Sequence, residues 1–546
     1  MQKQIKKVSG TFLIYKFKKN SYYFFMFKKQ IHNFLFILTS GILSIYLGKD
    51  CNWDLKNYHI YNPYSFLKKR LLFDIAPAQL QTYFNPLLDI PFYLMMVKIP
   101  PKLFGFIVGA IQGINLILIY NISYLLLDKY EEKKRKILSI LSAITGFLGV
   151  ANLYEIGTSY HDNIVSIFIL LAIYLTLKKR KSSFLPGLIL GLGIGLKLNM
   201  GIYAIPFLVS ITFFEKDFNK KIKSFFITGS GILSGILITS GYWMYILLIN
   251  FKNPLFPYFN EIFKSPYYDI TNIPHSGFFP KNLLQKLFYP LYFMKKQKLV
   301  NETPFRDLRL GICYILFIIS VIKITIRGEW KIRKEEIFFL TFFPLSYIIW
   351  QQMFSVYRYT IPLELLSSVF ILIAIGKIIR DNSKVFFSSV FLFTLLIFTI
   401  YPMNSPRCKW DKKYLSVNLP EIIKSKKRGI ILTTWEPTSY VIPFFPENYR
   451  FICTKNNFLS PKSKSLLEKK VKEILKNTKA KEIYLITRES DLNKRYDSLR
   501  LFFESFLNPY NLTLSNEEPL KIKTTFETLF LYRVLKKTNS FRGKPM

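Results

Sequence analysis

The sequence predicts a mainly α fold: a polytopic transmembrane helical bundle followed by a small C-terminal α/β domain outside the membrane. Three observations carry this. Half of the 546 residues are hydrophobic, with a mean hydropathy of +0.21. That apolar mass is gathered into long runs, and runs of about 18 or more apolar residues are membrane spans. The 76 lysines and arginines cluster between those runs, as the positive-inside rule requires of cytoplasmic loops.

The elements follow in chain order. Residues 1–30 are a basic cytoplasmic segment holding eight lysines. They carry no small-residue cleavage site, so the first apolar run is an uncleaved anchor. The membrane module covers 31–403. Span one is 31–47, and a long outer loop, 48–102, follows. Spans two to four are 103–127, 137–154 and 160–178, with the basic runs 129–136 and 178–181 inside. Spans five and six share 184–214, broken near Lys197 and Asn199. Lys216, Lys220, Lys221 and Lys223 return the chain inside before span seven at 225–249. A second outer loop covers 250–307, and spans eight to eleven are 308–326, 336–352, 359–378 and 385–402. The thickness rule therefore gives about 11 spans. Segment 84–97 is apolar enough for a twelfth. A crossing there would put the 129–136 cluster outside, so it is read as a helix lying along the membrane.

Beyond 403 the apolar runs shorten and charge rises. Residues 404–546 read as the outer α/β domain, with strands at 429–435, 482–487 and 528–534 and an amphipathic helix at 463–478. The net charge of +42 invites comparison with nucleic-acid-binding proteins. Here, however, the lysines punctuate apolar segments and line no single polar face. The partner they imply is the bilayer, with no nucleic acid. Four cysteines are few and form no CxxC pair. Cys51, Cys408 and Cys453 fall outside the membrane, which allows a Cys408–Cys453 disulfide. No metal-ligand spacing is present.

The densest polar stretch of the membrane module follows span one and holds Asp50, Asp54, Asn57 and His59. On a helix, Asp50 and Asp54 share a face. A carboxylate held beside hydrocarbon is costly unless used, which makes Asp54 the leading candidate. The loop continues through Asp74, Gln79, Asn85 and Asp89, residues that suit sugar hydroxyls and turn caps equally. His161 and Asp162 open span four, where an aspartate can stabilise the helix dipole or join a site. Lys197 and Arg358, the latter followed by Tyr359, are cations at outer helix ends. They suit snorkelling to the interface or a lipid phosphate. His275 in the second outer loop is a weaker candidate.

This layout resembles the GT-C glycosyltransferases, multi-spanning enzymes that use polyprenyl-phosphate sugars. It is most similar to the protein mannosyltransferase and aminoarabinose transferase branch. The resemblance rests on Asp50 and Asp54 after span one and Asn85-Pro86-Leu87 before span two. It rests also on His161-Asp162 at span four, and on Gly195-Leu196-Lys197 with a soluble domain ending the chain. Many members carry adjacent Asp-Glu where this chain spaces Asp50 from Asp54, and Pro-Pro-Leu where it has Asn-Pro-Leu.

The resemblance implies inverting transfer from a polyprenyl-phosphate sugar to a glycan, lipid or protein acceptor. The site would face the periplasm from a bacterial inner membrane. Asp54 would be the base, and Arg358 and Lys197 would stabilise the departing phosphate. Asp50, Asn57, His59, Gln79, Asn85, His161, Asp162 and Tyr359 would bind substrate. No fixed cofactor is implied, a divalent cation being compatible. A transporter or lipid-linked-sugar flippase is the main rival, and a polysaccharide polymerase or ligase the next. Neither repeated halves nor arginine-rich outer loops support them. The enzymatic reading requires Asp54 and Arg358 to share one pocket.

Overall fold

The computed structural model describes residues 31–180, 183–271, 277–328, 332–426, 428–456, 458–478, 483–488 and 496–537, with side chains from 501 in the last stretch. The basic segment 1–30 and His275 lie outside the described residues.

The apolar runs become helices because a helix satisfies its backbone hydrogen bonds within the segment. Among the described residues, five are long and apolar enough to cross a membrane: Pro101–Leu126, Phe218–Phe251, Arg309–Arg327, Tyr357–Ile378 and Asn382–Thr399. Ile31–Leu47, Phe184–Leu196 and Leu198–Phe214 are shorter apolar segments, and helices Asp162–Lys179 and Lys334–Met353 complete the bundle. The expected break in 184–214 falls at Lys197, whose backbone is extended (φ −149°, ψ 103°) between a helix and a 3-10 turn. Glycines set the tightest helix pair. A Cβ on Gly187 or Gly191 would collide with the backbone of Thr228 or Ile232, and one on Gly235 with that of Leu188. Helices Phe184–Leu196 and Phe218–Phe251 thus touch backbone to backbone, the small-residue packing of membrane helices.

Two expectations change in detail. The run 137–154 is two helices, Glu132–Phe147 and Val150–Glu155. The chain is redirected at Gly149, where the Glu364 carboxylate occupies the space a Cβ would need. Segment 84–97 yields helix Asp89–Lys98. At 1.5 Å per residue it spans about 15 Å, half the thickness of a bilayer core, so it does not cross.

Large apolar side chains face outward. Leu233, Ile238, Tyr245 and Ile249 project from helix Phe218–Phe251, and Phe387, Phe391 and Phe398 from helix Asn382–Thr399. An apolar belt of this extent is a lipid-contacting surface. The two ends of the bundle differ. Arg180 pairs with Glu335, Arg333 with Asp128 and Lys377 with Glu336 at one end. Helix Asp162–Lys179 runs from there to the opposite end over about 27 Å, reaching the outer loops.

Strands β1 (Lys49–Asp50) and β2 (Arg407–Cys408) pair antiparallel. The remaining strands are β3 (Val417–Asn418), β4 (Gly429–Thr433), β5 (Tyr449–Cys453), β6 (Ile483–Arg488), β7 (Leu512–Leu514), β8 (Leu520–Thr524) and β9 (Thr528–Lys536). They form one mixed sheet in the order β3-β8-β9-β6-β4-β5, with β7 beside β9. Its β5 side, strands β5, β4 and β6, is parallel. Strands β4, β6 and β9 and helix Leu466–Asn477 meet the sequence expectation.

The loop 48–102 docks on this sheet. The Ile75 N–H donates to the Phe451 carbonyl and the Cys453 N–H to the Ile75 carbonyl, each at 2.9 Å. Asp74 binds the Arg70 guanidinium through both oxygens (2.8 Å each) and accepts the Phe451 N–H at 2.9 Å. A disulfide joins Cys51 to Cys408, Cα atoms 5.9 Å apart, and not the Cys408–Cys453 pair that the sequence allows. Pairing of β1 with β2 brings Cys51 beside Cys408, while Cys453 is a buried free thiol in β5.

Candidate functional site

Asp54 immediately precedes one turn of π-helix, Leu55–His59. The wider turn brings Tyr58 back over it, and the Tyr58 hydroxyl donates to Asp54 Oδ2 at 3.3 Å. Facing it, the 3-10 turn Tyr357–Thr360 presents Arg358. Arg358 Nη1 donates to Asp54 Oδ2 at 2.9 Å, so the two residues 304 positions apart share one pocket. The guanidinium lies over the rings of Tyr160 (4.4 Å) and Tyr359 (5.4 Å), which orients it.

Behind Arg358 stands Asp162. Its Oδ2 is 3.7 Å from Arg358 Nε, and its Oδ1 takes Lys197 Nζ at 2.6 Å and Asn199 Nδ2 at 3.1 Å. Lys197 Nζ also donates to the Tyr160 carbonyl at 2.5 Å. Lys197 comes from a helix interruption and Arg358 from the 3-10 turn that opens helix Tyr357–Ile378, and both reach the same aspartate. The Asp162 side chain is fully buried, whereas those of Asp54, Lys197 and Arg358 are 13, 19 and 21 % exposed. The cations therefore form a rim that an external anion can reach.

Beside this network His59 Nδ1 is 2.6 Å, and His161 Nε2 3.0 Å, from the same oxygen, Asp89 Oδ1. Burial pulls the His59 pKa down to about 3, so the imidazole is neutral at pH 7. Burial raises the Asp89 carboxyl, with the His161 hydrogen bond opposing it. The three candidate ligand atoms lie within 4.8 Å of one another. A cavity of ≈ 20 Å³ adjoins them.

Of the residues singled out in the sequence, Asp54, His59, Asp89, His161, Asp162, Lys197, Arg358 and Tyr359 converge here. Asp50, Asn57, Gln79 and Asn85, expected to bind substrate, are instead engaged by the chain itself in this structure. Asp50 accepts the Asn52 and Ser159 N–H groups (2.9 and 2.8 Å) and holds a turn. Burial raises its carboxyl against the opposing Arg407. Asn57 donates to the Ala78 carbonyl and Gln81 Oε1, both at 3.3 Å. Gln79 donates to the Trp435 carbonyl at 2.7 Å, tying the loop to the C-terminal domain. Asn85 clamps the Gly195 and Thr239 carbonyls at 3.0 and 2.8 Å.

Glu155 is a participant that no sequence pattern marks. It is fully buried, accepts the Asn163 N–H at 3.3 Å and lies against the Asp162 carboxyl. Its one signal is position, an acidic residue at the outer end of span three. Comparison with protein-family models, curated proteins and solved structures returns no match, so the functional reading rests on this geometry alone.

Proposed function

We propose that the chain is a GT-C-like membrane glycosyltransferase with about 11 spans. It moves a sugar from a polyprenyl-phosphate donor to an acceptor on the outer, periplasmic face of a bacterial inner membrane. The supporting observation is the 2.9 Å contact of Asp54 with Arg358 at the end of the bundle away from the basic loops. The lipid phosphate binds Arg358 and Lys197, competing with Asp54 and Asp162 for them. Asp54, released from Arg358, accepts the proton of the acceptor hydroxyl as that oxygen attacks the anomeric carbon. The bond from that carbon to the phosphate oxygen breaks with inversion, and the electron pair leaves on the lipid phosphate, stabilised by the two cations. His59, His161 and Tyr359 shape the wall of the sugar site, and the docked C-terminal domain receives the acceptor.

Purified protein given radiolabelled polyprenyl-phosphate sugars should release free lipid phosphate. Asp54→Asn should lower turnover by about 10²–10⁴-fold while leaving expression and thermal unfolding unchanged. Wild-type turnover in that variant would remove the base assignment. The interrupted helix at Lys197 favours a transporter as the second reading. Substrate counterflow across sealed vesicles, without release of lipid phosphate, would establish it.

A further inference from the structure

His59, Asp89 and His161 come from three separate segments: the π-helical turn after span one, the head of helix Asp89–Lys98, and the residue before helix Asp162–Lys179. The chain contains four histidines, and two of them meet on one carboxylate oxygen. All three side chains are more than nine-tenths buried. The other ring nitrogens, His59 Nε2 and His161 Nδ1, are buried without a hydrogen-bond partner. Each ring therefore spends its one partnered nitrogen on the same point, Asp89 Oδ1.

We infer that His59 Nδ1, Asp89 Oδ1 and His161 Nε2 bind one divalent transition-metal ion of the zinc type. Two imidazoles and one carboxylate are donors that zinc takes readily. Magnesium and calcium favour oxygen cages of six or more ligands, which this apolar-walled site does not offer. Bonds of about 2.1 Å in a tetrahedron need ligand separations of about 3.4 Å: the 2.6 and 3.0 Å separations from Asp89 Oδ1 open to reach it, and the separation of the two imidazole nitrogens, within 4.8 Å, closes. The adjoining cavity of ≈ 20 Å³ holds about one water, which supplies the fourth ligand.

The site does structural work for the charge network, and its ligands carry the coupling. His59 ends the turn that Asp54 begins, and His161 directly precedes Asp162. His161 also has a left-handed backbone (φ 65°), a conformation unusual for a side-chain-bearing residue that needs outside support. The metal fixes both ends at once, holding Asp54 and Asp162 on either side of Arg358.

The test uses full-length protein purified in detergent without chelators, and none of its readouts involves sugar transfer. Elemental analysis should find about one zinc per chain, lost in Asp89→Asn and His161→Gln and retained in His32→Gln. Because a ligand variant can fail to fold, wild-type protein is also stripped with a chelator and titrated with Co²⁺ alone. One equivalent should produce the strong visible bands of four-coordinate cobalt, which added Zn²⁺ should abolish. Folded wild-type protein without zinc and without those bands would overturn the inference. So would zinc content unchanged in folded Asp89→Asn and His161→Gln.

Discussion

Two arginine–carboxylate clusters flank the short helix Val150–Glu155, and they are built differently. At its N-terminus Asp307 accepts the Val150 N–H at 3.2 Å, and Glu364 accepts the Ala151 and Asn152 N–H groups at 3.0–3.1 Å. Arg309 contacts Asp307 and donates to the Thr145 carbonyl at 3.1 Å. These carboxylates satisfy the free N–H groups of a helix start and complement its dipole. At the other end Asp54, Asp162, Lys197 and Arg358 bind mainly one another, and three of the four reach solvent. Arg309 and Glu364, by contrast, are completely buried. Charge inside a bundle therefore does not by itself mark a functional site. Charges committed to backbone groups are structural. Charges paired with each other at an opening can exchange partners with a ligand.

Replacing the arginines separates the two cases. Arg309→Leu leaves Asp307 without its cation in the closed cluster and should cost about 3–5 kcal/mol, seen as a lower unfolding temperature in detergent. Arg358→Leu leaves Lys197 paired with Asp162 and should cost less than Arg309→Leu, while abolishing binding of the proposed lipid-phosphate donor. Equal losses of stability would erase the distinction between the clusters.

Glu468 in helix Leu466–Asn477 is a buried carboxyl whose nearest partner is neutral, the Tyr510 hydroxyl at 2.9 Å; Lys472 stands off at 3.8 Å. Burial raises its pKa to about 7 from the ordinary 4.5. The folded protein thus holds a proton that the unfolded chain has already lost. This contribution is fully present below pH 4.5 and is lost as pH rises through 7, by up to about 3 kcal/mol. Glu468→Gln should flatten the dependence of stability on pH across that window. An unchanged slope would show that the carboxyl is solvated like those of the open cluster.

Glycine substitutions probe the joint behind the closed cluster. Gly149→Ala pushes a methyl into the Glu364 carboxyl and should cost about 1–3 kcal/mol. Gly376→Ala, where nothing lies within 4 Å of the added carbon, should stabilise its helix by about 0.4–1 kcal/mol. Thermal unfolding of the two variants in parallel measures both, and a tolerated Gly149→Ala would mean that Glu364 can leave the helix start.

What the sequence determined by itself is local. Apolar runs too long for a soluble core, basic clusters between them and the interruption at Lys197 are written in consecutive residues. So is the placement of Asp54 and Arg358 at helix ends, since hydropathy and charge act over a few turns. Tertiary structure alone decided the partnerships: Cys51 with Cys408, His59 and His161 on Asp89, Glu364 under Gly149, and Asp50, Asn57, Gln79 and Asn85 spent on turns and clamps. Those contacts join segments tens to hundreds of residues apart. A buried polar group takes whichever partner the packing of distant elements supplies, and no local pattern records that choice.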